Sequence, residues 1–234
     1  MRRPSPKLAL LLIGALLAGC TQTKAFFKSE SNQPQAGVKV LLMPPDIELS
    51  VLTAGGLLEP KADWTATARL YVTDALEGEL RTKNVHMTPY EPPTDMPSKD
   101  HAYIQLLKLH EAVGDAILMH KYNPQFELPT KKDKFDWSLG QDLEVLREDN
   151  DAHYGLFIHF RDSYASGGRV ALIILAAVAG VGVPGGRQVA FASLVDLKTG
   201  DIVWFNRLIS SVGDLRNPEA AAKAVDQLLA DLPL

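Results

Sequence analysis

The stretch Arg187–Arg207, RQVAFASLVDLKTGDIVWFNR, constrains the fold of this chain more than any other. Val189, Phe191 and Val195 alternate with Ala190, Ala192 and Leu194, so an extended strand here is apolar on both faces. Ile202 and Trp204 alternate with Val203 and Phe205 in the same way. Strands apolar on both faces are covered on both sides. Between the two halves, Lys198-Thr199-Gly200 suits a type I turn closed by a left-handed glycine. The stretch predicts a central hairpin with helices packed on it and Trp204 buried. It carries no catalytic constellation.

The N-terminus has a different logic. Arg2, Arg3 and Lys7 precede an apolar run from Leu8 to Leu17, followed by Leu17-Ala18-Gly19-Cys20. Basic start, short apolar run and small residues are the layout of a secretory signal. The run is too short to span a bilayer as a mature helix. The tetrapeptide resembles the lipobox of bacterial lipoproteins. That resemblance implies cleavage after residue 19, acylation of the Cys20 thiol (palmitate among the acyl chains) and membrane attachment through the N-terminal lipid. Each buried CH₂ adds about 0.8 kcal/mol to anchoring. Thr21 stands where an aspartate favours inner-membrane retention in enterobacterial lipoproteins, which points to the outer membrane, periplasmic side. Cleavage removes three basic residues and no acidic one, so the formal charge of −4 becomes −7. Cys20 is the one cysteine, so no intramolecular disulfide forms. Residues 20–37 are expected to be the lipidated cysteine and a polar tether. As a flexible coil, the tether would span about 20–25 Å.

The remaining residues, 38–234, are expected to form one periplasmic α/β domain. Val38–Met43 predicts a first strand, stopped by Pro44-Pro45 because proline cannot donate to a ladder. A loop through Gly55-Gly56 and Pro60 is expected next. Asp63 is a candidate N-cap, and Ala68, Val72, Ala75, Leu76 and Leu80 recur at helical spacing to about Arg81. Asn84–Thr88 predicts a short strand. Ser98 or Asp100 can cap a second helix with Tyr103, Ile104, Leu107, Val113, Ala116 and Ile117 on its apolar face. Ser138 and Gln141 resemble a capping box for a third. Tyr154–Phe160 predicts a strand, and Arg161–Gly168 a polar loop. Asn217-Pro218-Glu219 supplies cap, first-turn proline and first-turn acid for a last helix lined by Ala221, Val225, Leu228 and Leu229. Alternating strands and helices of this kind predict a mixed β-sheet with helices packed on it.

This order resembles a group of envelope lipoproteins and periplasmic domains that includes the curli-secretion lipoprotein CsgG, the N-terminal domain of TolB and LpoB. The residues that carry the resemblance are VKVLLMPP, the helix from Trp64 to Arg81, YGLFIHF, SLVDLKTGDIVWFNR and the helix starting at Asn217. Asp196, Thr199, Gly200 and Trp204 form its most specific element, a structural signature. The resemblance implies an accessory protein of envelope assembly or secretion that acts by binding. No pair of long alternating strands like those of the CsgG membrane barrel is present.

Candidate chemistry is sparse. No basic stripe is present, which argues against nucleic acid as a partner. Gly180, Gly182 and Gly185 spell G-x-G-x-x-G, but the residues after them predict a strand, where the dinucleotide fingerprint needs a helix. His101, His110 and His120 are nine and ten residues apart, unlike zinc pairs on a helix, and H-E-x-x-H is absent. His153 and His159 flank a strand. Asp46, Glu48 and Asp63 are expected to be solvated. Ser166 has no evident base, and no G-x-S-x-G occurs. No cofactor or metal is expected. The leading expectation is a lipid-anchored, non-enzymatic binding factor; the alternative is a lipid-anchored hydrolase acting on envelope polymers.

Val170–Val183 is 14 uncharged residues. One interpretation buries it in the core. The other makes it an exposed contact, for self-association, an envelope protein or the membrane interface, with Val170, Ile173, Ile174, Val178 and Val181 as its candidate residues.

Overall fold

The hairpin of residues 187–207 forms and lies inside the sheet. Strand β7 (Gln188–Asp196) pairs antiparallel with β8 (Ile202–Ser210), with a bulge between Leu194 and Val195. Gly200 takes φ +74° at the turn, and the Asp196 carboxylate accepts from the amides of Lys198 and Thr199. A Cβ on Gly200 would lie 1.7 Å from the Gly140 carbonyl oxygen, so glycine also permits close approach of a second segment here. The protein is seen in a computed structural model that describes residues 21–28, 34, 37–83, 85–91, 97–132 and 134–234. The predicted signal peptide and Cys20 lie outside these residues.

Among the described residues the strands make one mixed eight-stranded sheet, and five α-helices accompany it. β1 (Thr21–Phe27) pairs with β8, β7 pairs with β6 (Tyr154–Ala165), and the free edge of β6 carries two strands in succession. β2 (Lys39–Leu42) runs parallel to Tyr154–Leu156, and β3 (Asp46–Leu52) runs parallel to His159–Ala165. β5 (His86–Pro89) extends the sheet beyond β2, and β4 (Leu58–Pro60) beyond β3.

Each face of the hairpin has its own cover. On one side, α1 (Ala62–Thr82) and α5 (Pro218–Leu228) lay Ala68, Val72, Leu76, Leu80, Val225 and Leu228 against Ala190, Ala192, Leu194, Trp204 and Leu208. On the other, α2 (Pro97–His120) and residues 134–146 cover Phe191, Val195, Ile202 and Phe205 with Leu106, Ile117, Phe135, Leu139 and Leu143. Gly114 lets α2 approach: a Cβ there would sit 2.2 Å from the Phe191 ring. Asn217 caps α5 through the Ala220 amide, with Pro218 and Glu219 in the first turn, as the sequence predicts.

Several expectations are corrected. Thr21–Phe27, assigned to the flexible tether, is the edge strand β1, because its backbone completes the ladder that β8 leaves open. Pro44-Pro45 ends β2 but not the sheet: the chain resumes at once as β3, and β4 follows across a tight turn where a loop was expected. Ile47 and Leu49 point inward while Glu48 faces out, the alternation of a one-sided strand. Residues 161–165 are strand rather than polar loop, held by β3 on one side and by Gln188 and Val189 of β7 on the other. Asp63 lies inside α1, whose N-cap is Lys61. Ser138 forms no capping box. Its hydroxyl donates to the Gly200 carbonyl and accepts from the Gly140 amide, and α3 (Glu144–Asn150) starts later.

Candidate functional site

Strand register puts several chain segments at one end of the sheet. Thr21 faces Ser210, Ser210 faces Gln188, and Gln188 faces Asp162. Three residues past Asp162, β6 ends and the chain leaves the sheet as helix α4 (Gly167–Val178), returning at Gln188. The turn between β3 and β4 is at this end too. The strand ends are tied together by buried Asp162, whose carboxylate accepts from Tyr164 Oη at 2.6 Å and Gln188 Nε2 at 3.0 Å. Burial raises the Asp162 carboxyl above its ordinary range, although these hydrogen bonds pull the other way. Arg216 stacks on Tyr164 beside this network.

Local sequence explains why α4 is a helix. Ser166 caps it by accepting from the Arg169 amide at 3.1 Å. Ala, Leu and Ile fill its body. At its C-terminus Gly180 takes φ +75°, the Val181 amide reaches the Ala176 carbonyl, and the Gly180 amide reaches Ala177. That pair of bonds is a Schellman closure.

No residue of α4 is buried. The core interpretation of Val170–Val183 is therefore overturned: the segment is bounded by strand ends, none of its residues is buried, and only Ile173, Ala176 and Val183 are partly buried. Of the five residues singled out, Ile173 packs towards Gly185 of the returning loop, while Val170, Ile174 (59% exposed), Val178 (86%) and Val181 point outward. Leu172 and Leu175 join them, as do Leu57 and Leu58 of the β3–β4 turn and Val212 after β8. Nine of the fifteen large apolar side chains exposed among the described residues thus lie at this one end. Arg169 donates to the Pro184 and Ala54 carbonyls and braces α4 against its loop and the β3–β4 turn. Arg187 is exposed.

A polar cluster that sequence reasoning missed lies on the other face of the sheet. Arg161 on β6 donates to both Asp46 carboxylate oxygens, at 3.1 and 3.0 Å, and to Glu111 of α2 at 2.8 Å. Buried His159 places Nδ1 3.3 Å from Asp46 Oδ2 and stacks on Phe191. Burial favours the neutral Asp46 carboxyl, but His159 and Arg161 outweigh it and hold Asp46 well below the usual carboxylate range. Ligand atoms of Asp46, Glu111 and His159 lie within 4.8 Å of one another, the spacing of a metal site. The Arg161 guanidinium already supplies the positive charge between the two carboxylates, so the group works as an ion-pair clamp of β3, β6 and α2. Asp46 is accordingly paired rather than solvated.

His110 contacts Ser193 Oγ through Nε2 at 2.9 Å. Both are sealed in the core, and burial pushes the imidazole down to about 3. A nucleophile–base pair closed to solvent has no route for substrate. His120 contacts the Phe126 carbonyl, and His153 accepts from the Lys39 amide. The glycines of G-x-G-x-x-G run from the end of α4 into β7, without the strand before and helix after that pyrophosphate binding requires.

No protein-family model matches the chain, and no curated protein matches it. Among solved structures it is similar to the PelC dodecamer from Paraburkholderia phytofirmans, at 12% identity over 90% of this chain and 96% of that one, with a TM-score of 0.42. A second PelC dodecamer structure from the same organism gives 12% identity, coverage of 92% and 98%, and a TM-score of 0.41. Lipoprotein GNA1162 from Neisseria meningitidis gives 14% identity, coverage of 83% and 97%, and a TM-score of 0.32.

Proposed function

We propose that the chain is a lipid-anchored binding factor of the bacterial envelope. Acylated Cys20 holds it on the periplasmic side of the outer membrane, where it serves envelope assembly or secretion without catalysing a reaction. The observation that carries this proposal is the apolar end of the sheet, where α4 projects without a single buried residue. Contiguous exposed apolar surface marks a site of contact with something other than water. The polar groups that could do chemistry are arranged otherwise: Ser193 and His110 are sealed, and Asp46 and Glu111 are held by Arg161. This arrangement favours binding over the hydrolase alternative.

Metabolic labelling with a clickable fatty acid tests the anchor. Cys20→Ala is expected to abolish labelling and leave an uncleaved precursor. Undiminished labelling of this variant would contradict the proposal. Cross-linking in intact cells then identifies the envelope partner.

A further inference from the structure

We propose that α4 lies in the headgroup layer of the outer membrane's periplasmic leaflet, and that helix and anchor together stand the sheet on end against the lipid. The inference rests on acylation of Cys20. Its geometric basis is the absence of slack. Thr21 is already paired with Ser210, and its hydroxyl lies 3.2 Å from that of Ser210. Cys20 precedes it directly, and one extended residue spans at most about 3.6 Å. An acylated Cys20 therefore brings the Thr21 end of the sheet to the bilayer surface. That end is the one from which α4 projects.

The helix suits this surface. Its 12 residues make about 18 Å of helix, well short of the roughly 30 Å hydrocarbon core. No described helix is long and apolar enough to cross a membrane. One side of α4 rests on its own returning loop through Ile173, and the outer side presents Ile174, Leu175 and Val178. Two cations flank it. Arg169 is engaged only by carbonyl oxygens, and Arg187 forms no ion pair among the described residues. Their charge complements anionic phospholipid headgroups. A second copy could cover the same apolar side chains, but it would have to displace the bilayer that the anchor holds there.

The test uses the full, acylated chain. Val178→Cys adds the one free thiol, because acylation occupies Cys20. A polarity-sensitive fluorophore on it is read in vesicles of phosphatidylethanolamine and phosphatidylglycerol, with and without brominated acyl chains. Lys198→Cys is the control. Lys198 is exposed at the opposite end of the sheet, about 30 Å away by the length of β7. Brominated lipid should quench the Val178 probe about twofold or more and leave the Lys198 probe unchanged. Ile174→Glu, placed beside the Val178 probe, should keep the circular dichroism spectrum and lose most of the quenching. Equal quenching at both positions, or none at Val178, overturns the proposal. So does quenching that survives Ile174→Glu. Blue-shifted emission that brominated lipid does not quench assigns the face to a second copy and likewise overturns it. Intact mass separates the two levels: a mature chain without acyl mass overturns the anchor as well, whereas acyl mass with an unquenched probe overturns the lipid-facing helix alone.

Discussion

Trp204 offers a quantitative test of how the fold is held. Its side chain is fully buried between β7 and the helices α1 and α5, and its indole N–H has no hydrogen-bond partner among the described residues. A buried tryptophan removes roughly 250 Å² from water. At about 25 cal/mol per Å² that is about 6 kcal/mol, an upper bound for truncation. The β-carbon remains and neighbours relax, so Trp204→Ala should cost about 3–5 kcal/mol. For a chain of this size each kcal/mol moves the melting temperature by about 2–4 °C, so calorimetry should show a fall of about 6–20 °C. Trp204→Phe keeps most of the ring and removes the unpaired donor, whose burial itself costs about 1–3 kcal/mol. It should therefore lie within about 1.5 kcal/mol of the parent. If the alanine variant melts within about 2 °C of the parent, or the phenylalanine variant falls as far as the alanine one, the two-sided packing of this strand is misjudged.

Gly200→Ala should destabilise by more than the roughly 1–2 kcal/mol of left-handed backbone alone, because the new methyl meets the Gly140 carbonyl as well; denaturant unfolding measures it. His110 makes stability depend on pH. The unfolded imidazole takes a proton below its ordinary 6.5, while the folded one stays neutral down to about 3. The unfolded state therefore binds more protons between these values, and stability is full above about pH 6.5 and declines towards about pH 3. His110→Gln should flatten the plot of unfolding midpoint against pH across that window, and an unchanged slope would show that His110 is not responsible.

What could be read from sequence divides along physical lines. The β7–β8 hairpin, α1 and α5 were legible because their apolar periodicity, turn glycine and caps are local and agree with one another. β3 was obscured by Pro44-Pro45, which interrupts the backbone ladder without ending the sheet. β1 was obscured because TQTKAFF has few apolar residues and owes its strand conformation to the open edge of β8, 189 residues away at its first pair. The helix α4 was visible as an uncharged run, but an all-apolar segment has no polar face to say which side meets the core. Asp46, Glu111, His159 and Arg161 carry no sequence signature at all, since three separate elements bring them together.

The pairing of Thr21 with Ser210 also sets an order of assembly. Before Tyr154 is available, only β2 with β5 and β3 with β4 can form ladders, because every other pairing needs β6, β7 or β8. The first strand in the chain waits for the last. A polypeptide threaded N-terminus first through a secretory channel would carry β1 across unpaired, with its partner still on the other side. Closing so long a loop is entropically costly and slow, so in such a passage the sheet would stay open and be completed only once residue 210 had emerged. If Cys20 is acylated as proposed, the strand beside it is then the piece that seals the edge, and the chain would be both anchored and finished at the same end.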